Sequence, residues 1–254
     1  FTQTIHTVCV LGESDLSSVE GVTTYNLNEV DGYSQLLASA QDVWFMALGP
    51  LTNVAASIQR QPALWQHVSR LIIMGGAYKT NGNTSPVAEY NFWVDPDAAD
   101  YVLQNSPIMI ELVPLDVTRK IVMTPNILQM MQYINPEKSE FVTKIIQFYF
   151  DFHWQQEHVL GAVINDPLVV FYALHPKLSR QLTTFMTVVT SGIALGQSIV
   201  DIADFWHEKP NAILLQEIDA RAAMAFIIAR LLNISLERAM EELDNIATDL
   251  ECLS

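Results

Sequence analysis

The stretch GNTSPVAEYNFWVDPDAAD, residues 82–100, sets Asn83, Glu89 and Asn91 within ten positions of one another in a chain that is 50% hydrophobic. A carboxylate only accepts hydrogen bonds, whereas a primary amide both donates and accepts them. Such a set suits a ligand whose own groups do both. Thr84 and Ser85 add hydroxyls, and Tyr90, Phe92 and Trp93 flank the set with aromatic surface. Two oxygen-bearing residues elsewhere belong to the same inquiry. Asp166, in VINDPLVVF, is a carboxylate in an apolar run and reads equally as a helix cap or as a ligand. Thr52, in LGPLTN, reads on its own chemistry as a helix-start residue.

Capping competes with chemistry at several of these positions. Asp95-Pro96, Thr124-Pro125, Asn135-Pro136 and Asp166-Pro167 each place a capping type before a proline. The side-chain oxygen accepts an orphan N–H, and proline at the first helical position has none to lose. Asp97 in the following turn also suits the helix dipole. Asp95 therefore reads as a cap, as do Thr124 and Asn135.

The elements that must position these groups alternate along the chain. Strand-like runs occur at residues 43–48, 71–74, 108–113 and 184–189, with weaker ones at 198–202 and 212–215. Helical patterns cover 52–60, 96–104, 125–133, 137–152, 166–174, 221–232 and 236–245. The opening FTQTIHTVCV reads as a further strand through Ile5, Val8 and Val10. This alternation predicts one α/β domain over residues 1–254, with a mainly parallel open sheet covered by helices on both faces, Rossmann-like. In such sheets ligands sit beyond the carboxyl ends of the strands. That directs attention to Gly49-Pro50-Leu51-Thr52-Asn53, Met74-Gly75-Gly76 and Pro114-Leu115-Asp116.

Composition removes several functions. Thirteen basic against 28 acidic residues give a formal charge of −15, which repels nucleic acid and anionic membrane surfaces. No apolar run reaches the roughly 20 residues needed to cross a bilayer, and the opening residues lack a signal-peptide pattern. Cys9 and Cys252 stand at opposite ends, which is no disulfide framework and points to a reducing, cytoplasmic setting. Neither GxGxxG nor GxxxxGK[ST] occurs, so Gly75-Gly76 reads as a strand-to-loop turn rather than a phosphate cradle. CxxC, HExxH, EF-hand and GxSxG patterns are absent too. The six histidines, at 6, 67, 153, 158, 175 and 207, show no paired metal spacing and read as surface or groove residues.

LGESDL (11–16), ALGPLTNVA (47–55), IIMGGAY (72–78), GNTSPVAEYNFWVDPDAA (82–99), PLDVTRKIVMTP (114–125), INDPLVVFYALHP (164–176) and GQSIVD (196–201) follow one another in a telling order. Together they resemble the nucleoside hydrolases, calcium-dependent N-ribohydrolases of the inosine–uridine-preferring type. The resemblance runs in register from about residue 11 to 219. It implies an oligomeric enzyme that cleaves a nucleoside to ribose and free base. Asn83, Glu89 and Asn91 match positions that hydrogen-bond the ribose hydroxyls, and Met74 one packed against the sugar. Thr52 matches the threonine whose backbone carbonyl binds Ca²⁺, and Asp166 the calcium-binding aspartate. Hard oxygen donors of this kind suit Ca²⁺.

The sequence departs from the family at two places. The aspartate-rich DxDxxxDD motif, which supplies the other calcium ligands and the general base, does not occur. ESDLSSVE (13–20) and NEVDGY (28–33) have acids at the wrong spacing. The expectation is therefore either a family strand missing ahead of Phe1 or a decayed relative, with the catalytic base unassigned. Asn165 stands where purine- or inosine-preferring members have histidine, and Leu11 where they have another. Asparagine cannot act as a general acid, a loss typically worth about 10²–10⁴ in rate. His153, His158, Trp206 and His207 are left as candidates to assist the leaving base.

Overall fold

Residues along the central strands alternate between two separate cores, and that alternation explains why helices cover both faces. In β2 (Val68–Met74), Leu71 and Ile73 join one core while Ile72 and Met74 join the other. In β3 (Ile110–Val113), Ile110 and Leu112 face opposite to Val113, and in β9 (Ala212–Ile218) Leu214 faces opposite to Leu215. Strands buried on both faces must be apolar throughout, as LIIM is here.

The computed structural model describes residues 42–251, with side chains to 246. The expected N-terminal strand, the LGESDL landmark with Leu11, and the acids between 13 and 33 lie outside the described residues. In chain order the elements are β1 (Val43–Ala47), α1 (Thr52–Arg60), a 3-10 turn (Pro62–His67), β2 (Val68–Met74), α2 (Tyr90–Val94) and α3 (Pro96–Asn105). Next come β3 (Ile110–Val113), α4 (Leu115–Thr118), β4 (Val122–Met123), α5 (Pro125–Ile134), α6 (Pro136–Glu157) and β5 (Ala162–Val163). The chain continues through α7 (Asp166–Leu174), β6 (Ser179–Thr184), β7 (Met186–Val188), β8 (Ser198–Val200), β9 (Ala212–Ile218), α8 (Ala220–Leu232) and α9 (Leu236–Glu251).

Among the described residues the main sheet has the order β1-β2-β3-β9-β6. The first four strands are parallel, and β6 runs antiparallel on β9. One core packs α1, α2 and α3 on the sheet, and the other packs α5 to α9. The expected α/β class with a mainly parallel sheet is therefore what the chain forms.

Several strand expectations need correction. The run at 184–189 is not one strand. It breaks at Phe185, where β6 leaves the main sheet and β7 begins a separate hairpin with β8. Asn211 causes the break: its Oδ1 accepts the Met186 N–H at 2.9 Å and its Nδ2 donates to the Met186 carbonyl at 2.9 Å. The run at 212–215, expected to be weak, is an interior strand extending to Ile218. Helix α2 was not expected at all, because its five residues are too short to show a period.

The parallel strands β1, β2 and β3 all deliver their carboxyl ends to one rim of the sheet. Pairing continues past the strands there: Gly75 N–H donates to Val113 at 3.2 Å and Leu115 N–H to Gly76 at 3.0 Å. A small antiparallel ladder, β4 on β5, then guides the chain into α7, with Ile164 N–H on the Ile121 carbonyl at 2.9 Å.

Candidate active site

Glu89 organises the rim. It is the residue before α2, and its Oε2 accepts three backbone N–H bonds: Gly76 and Asn91 at 3.0 Å and Phe92 at 3.3 Å. Gly76 can present its amide this way because it adopts φ +76°, and a Cβ there would lie 2.6 Å from Ser198 Oγ. All three bonds fall on one oxygen. Oε1 takes none among the described residues and is left for a ligand. Glu89 is 2% exposed. Burial pushes its pKa up to about 7; the three N–H bonds oppose that rise, and the charge of Asp166 adds to it.

The amides complete a set with definite polarity. Asn91 Nδ2 donates to the Met74 carbonyl at 3.0 Å and lies 3.5 Å from its sulfur, which leaves Oδ1 as a free acceptor. Asn83 Oδ1 accepts the Tyr90 N–H at 2.9 Å and the Thr84 hydroxyl at 3.3 Å, which leaves Nδ2 as a free donor. Two acceptors and one donor therefore remain. Met74 itself is a buried core residue, joined to this set through Asn91.

Asn83 sits in a tight loop, closed by Gly82 N–H to Pro86 at 3.2 Å and Thr84 N–H to Ala88 at 3.3 Å. A Cβ on Gly82 would lie 2.1 Å from the Ala88 carbonyl and 2.3 Å from that of Ser85, both fixed backbone. Gly82→Ala is accordingly expected to cost about 3 kcal/mol, the upper end of the usual range for overpacking, because the atoms it meets are backbone. A urea-unfolding midpoint equal to that of the unsubstituted chain would contradict the loop geometry.

The two expected metal ligands behave differently from ordinary caps. Asp95, Thr124 and Asn135 each cap a helix, accepting from Ala98 at 3.0 Å, Ile127 at 3.4 Å and Lys138 at 3.2 Å. Asp166 does not follow them. The cap position of α7 belongs to Asn165, and the Asp166 carboxylate holds no hydrogen bond among the described residues. It is open to solvent, yet the protein around it desolvates it enough to push its pKa up to about 6. Between cap and ligand, the structure thus leaves the carboxylate free. Thr52 opens α1 without capping it. Its hydroxyl donates to Asp95 Oδ2.

Asn165 carries a buried Oδ1 with no hydrogen-bond partner among the described residues. The histidine expectations need correcting in part. His153 is buried, with Nδ1 2.8 Å from the Tyr149 carbonyl, because it lies on the packed face of α6. Trp206 and His207 occupy the exposed loop leading into the amino end of β9, opposite the rim that holds Glu89.

Sequence reasoning pointed to Gly76 and Asp116 by position without giving either its role, and it missed the Ser198 hydroxyl that receives the Ala77 N–H at 3.3 Å. Asp116 accepts three N–H bonds from the chain beyond β2: Tyr78 at 3.0 Å, and Lys79 and Thr80 at 2.9 Å. Its place just after β3 was the only signal available.

An oxygen-lined rim with a free carboxylate suits a hard dication by donor type. The count is short, since among the described residues no three His, Cys, Asp or Glu side chains gather around one point.

Comparison with known proteins identifies relatives of the chain. The family model for the inosine-uridine preferring nucleoside hydrolases matches residues 2–225. The chain is 30% identical over 198 residues to the probable uridine nucleosidase 2 of Arabidopsis thaliana, covering 75% of this chain and 61% of the relative. It is 32% identical over 198 residues to the pyrimidine-specific ribonucleoside hydrolase RihA of Salmonella paratyphi B, covering 77% and 63%. The chain thus spans about three fifths of the length of these curated relatives. Among solved structures it is similar to the plant nucleoside hydrolase PpNRh1, with TM-score 0.74, 26% identity and coverage of 80% and 66%. It also resembles the purine-preferring ribonucleoside hydrolase of Gardnerella vaginalis, with TM-score 0.71, 25% identity and coverage of 79% and 65%. With the family's model matching residues 2–225, most of its length, the chain belongs to the inosine-uridine preferring nucleoside hydrolase family.

Proposed function

We propose that the protein hydrolyses the N-glycosidic bond of ribonucleosides, with water and nucleoside giving ribose and free base. The observation that carries this reading is the carboxylate of Glu89, one oxygen locked by three N–H groups and the other left open. Each ribose hydroxyl donates one hydrogen bond and accepts others. The 2′- and 3′-hydroxyls would donate to Glu89 Oε1 and Asn91 Oδ1 and accept from Asn83 Nδ2. Breaking the bond leaves positive charge on the ring, and an ionised Glu89 fixed close to it stabilises that charge without reorganising.

Thr52, through its carbonyl, and Asp166 would hold Ca²⁺, with the rest of its 6–8 oxygens from water, substrate or protein outside the described residues. Bound calcium would lower the pKa of a water and draw the sugar hydroxyls into place. Asn165 cannot give a proton to the departing base; its unpaired Oδ1 can only accept from it. A cytoplasmic setting and a homo-oligomer rest on the cysteine usage and on the resemblance. No helix of the described residues is long and apolar enough to cross a membrane.

Ribose release from inosine, uridine and cytidine with added Ca²⁺ tests the reading. Release is expected, and 2′-deoxyuridine should react at least about a hundredfold more slowly because one buried acceptor goes unpaired. No release from any of the three would end it. A second reading, a nucleoside- or ribose-binding relative without turnover, is favoured by Asn165, which cannot protonate a leaving base.

The carboxyl groups also fix a pH dependence. Glu89 stands at about 7 and Asp166 at about 6, both above the usual carboxylate range. A raised carboxyl favours the folded state below the unfolded pKa and loses that advantage as pH rises through the folded value. The metal-free chain should therefore lose stability between about pH 4.5 and 7, by at most about 3 kcal/mol from Glu89. Ca²⁺, which favours the ionised forms, should restore it. Thermal unfolding at pH 5 and pH 8, with and without Ca²⁺, checks this; a metal-free chain that melts higher at pH 8 would contradict it.

A further inference from the structure

The loop leading into Asn83 is gripped by side chains of a single short segment. Asp116 holds its N–H groups, as described above. Arg119, just beyond α4, takes its oxygens. Nη1 donates to Thr80 Oγ1 at 2.9 Å and to the Asn81 carbonyl, and Nη2 donates to the Gly82 carbonyl at 3.0 Å. Nη2 also donates to Glu157 Oε2 at 2.7 Å, at the last residue of α6. Both terminal nitrogens are thereby fully committed. The pair is largely covered, with side-chain exposures of 21% and 15%.

An arginine kept for a surface ion pair has no need of two carbonyls and a hydroxyl from one loop. The last of those carbonyls belongs to Gly82, immediately before Asn83, whose amide in turn caps α2 at Tyr90. On its other side the segment runs into β4, whose partner β5 leads to Asp166. Residues 116–123 therefore fix the amide side and the carboxylate side of the rim against each other. Lysine, a point charge without the planar fork, cannot make this set of bonds.

We propose that Arg119 is a positioning residue of the sugar-binding loop, holding Asn83 at its working distance from Glu89 and Asp166. The kinetic consequence rests on the hydrolytic reading; the structural one does not.

Two measurements on the full chain test it. In the ligand-free protein, Arg119→Ala should speed amide hydrogen exchange at Gly82, Thr84 and Ser85 by at least about tenfold, with the amides of β2 and β3 unchanged. In the nucleoside assay, Arg119→Ala should lower kcat/KM about ten- to a hundredfold, chiefly by raising KM. Partial unfolding would instead lower kcat through the active fraction and leave KM in place, so the split separates positioning from general damage. Arg119→Lys should fall between, and methylguanidinium should restore part of the Arg119→Ala loss. Unchanged exchange in the loop overturns the proposal, as does faster exchange with an unaltered KM. If the unsubstituted chain releases no ribose, the hydrolytic reading falls, and exchange alone then decides for or against Arg119. Should Arg119→Ala fail to fold, Arg119→Lys carries both measurements with the same criteria.

Discussion

Glu89→Ala is expected to unfold the protein more easily and to abolish ribose release, whereas Glu89→Gln should do only the second. The alanine variant orphans the N–H groups of Gly76, Asn91 and Phe92 in a site where Glu89 is 2% exposed. Leaving such donors unpaired and losing the cap of α2 should cost about 2–4 kcal/mol. For a domain of this size that is a fall of roughly 5–15 °C in Tm. Glutamine keeps a carbonyl oxygen in the Oε2 position, so the three N–H bonds survive. It places an NH₂ donor where the open Oε1 stood and removes the negative charge facing the ring. Turnover should then drop about 10²–10³-fold, the range for losing one fixed electrostatic contact to the transition state. Thermal unfolding and ribose release, measured on both variants, check the pair of outcomes. A fully active Glu89→Gln would show that the carboxylate only builds the fold.

Asp166→Asn should produce the reverse pattern, with Ca²⁺ affinity and turnover lost and stability kept. An N-cap replaced by alanine costs typically about 1 kcal/mol, but Asp166 is not acting as one. Its carboxylate bonds to nothing among the described residues, and its surroundings already disfavour the ionised form. Removing it should leave Tm unchanged or slightly higher at pH 8. Losing a carboxylate from a hard-ion site should weaken Ca²⁺ binding by at least about tenfold and cut turnover by about 10³ or more. The pKa of Glu89 should also fall, since the charge of Asp166 helps to raise it. Calcium titration and thermal unfolding give the answer together. Normal Ca²⁺ binding by Asp166→Asn, or a Tm fall like that of a lost cap, would put the ion elsewhere.

These expectations show which parts of the molecule a sequence reader can reach. The sheet is legible because β2 and β3 are apolar on both faces and the helical runs between them keep their period. Glu89, Asn91 and Asn83 are legible as types held in a distinctive order. Their division of labour is not, because which oxygen of Glu89 is locked depends on the Gly76 amide, thirteen residues away. Asp166 and Asp95 look alike in sequence, each before proline; only packing separates a free carboxylate from a cap. The split between β6 and β7 is hidden for a similar reason, since Asn211 acts on it from 25 residues downstream. Arg119 lies within the PLDVTRKIVMTP run, yet its partners at 80–82 and 157 are joined only by the fold.

Titrating ribose into the full chain by calorimetry, with and without Ca²⁺, decides whether the open oxygen of Glu89 and the free carboxylate of Asp166 serve a single ligand. If they do, Ca²⁺ must raise the affinity for ribose, and ribose that for Ca²⁺, by the same factor, expected to be about tenfold or more. Ribose binding of equal strength in the presence and absence of Ca²⁺ would show that the sugar site works without the ion, and would contradict the hydrolytic account.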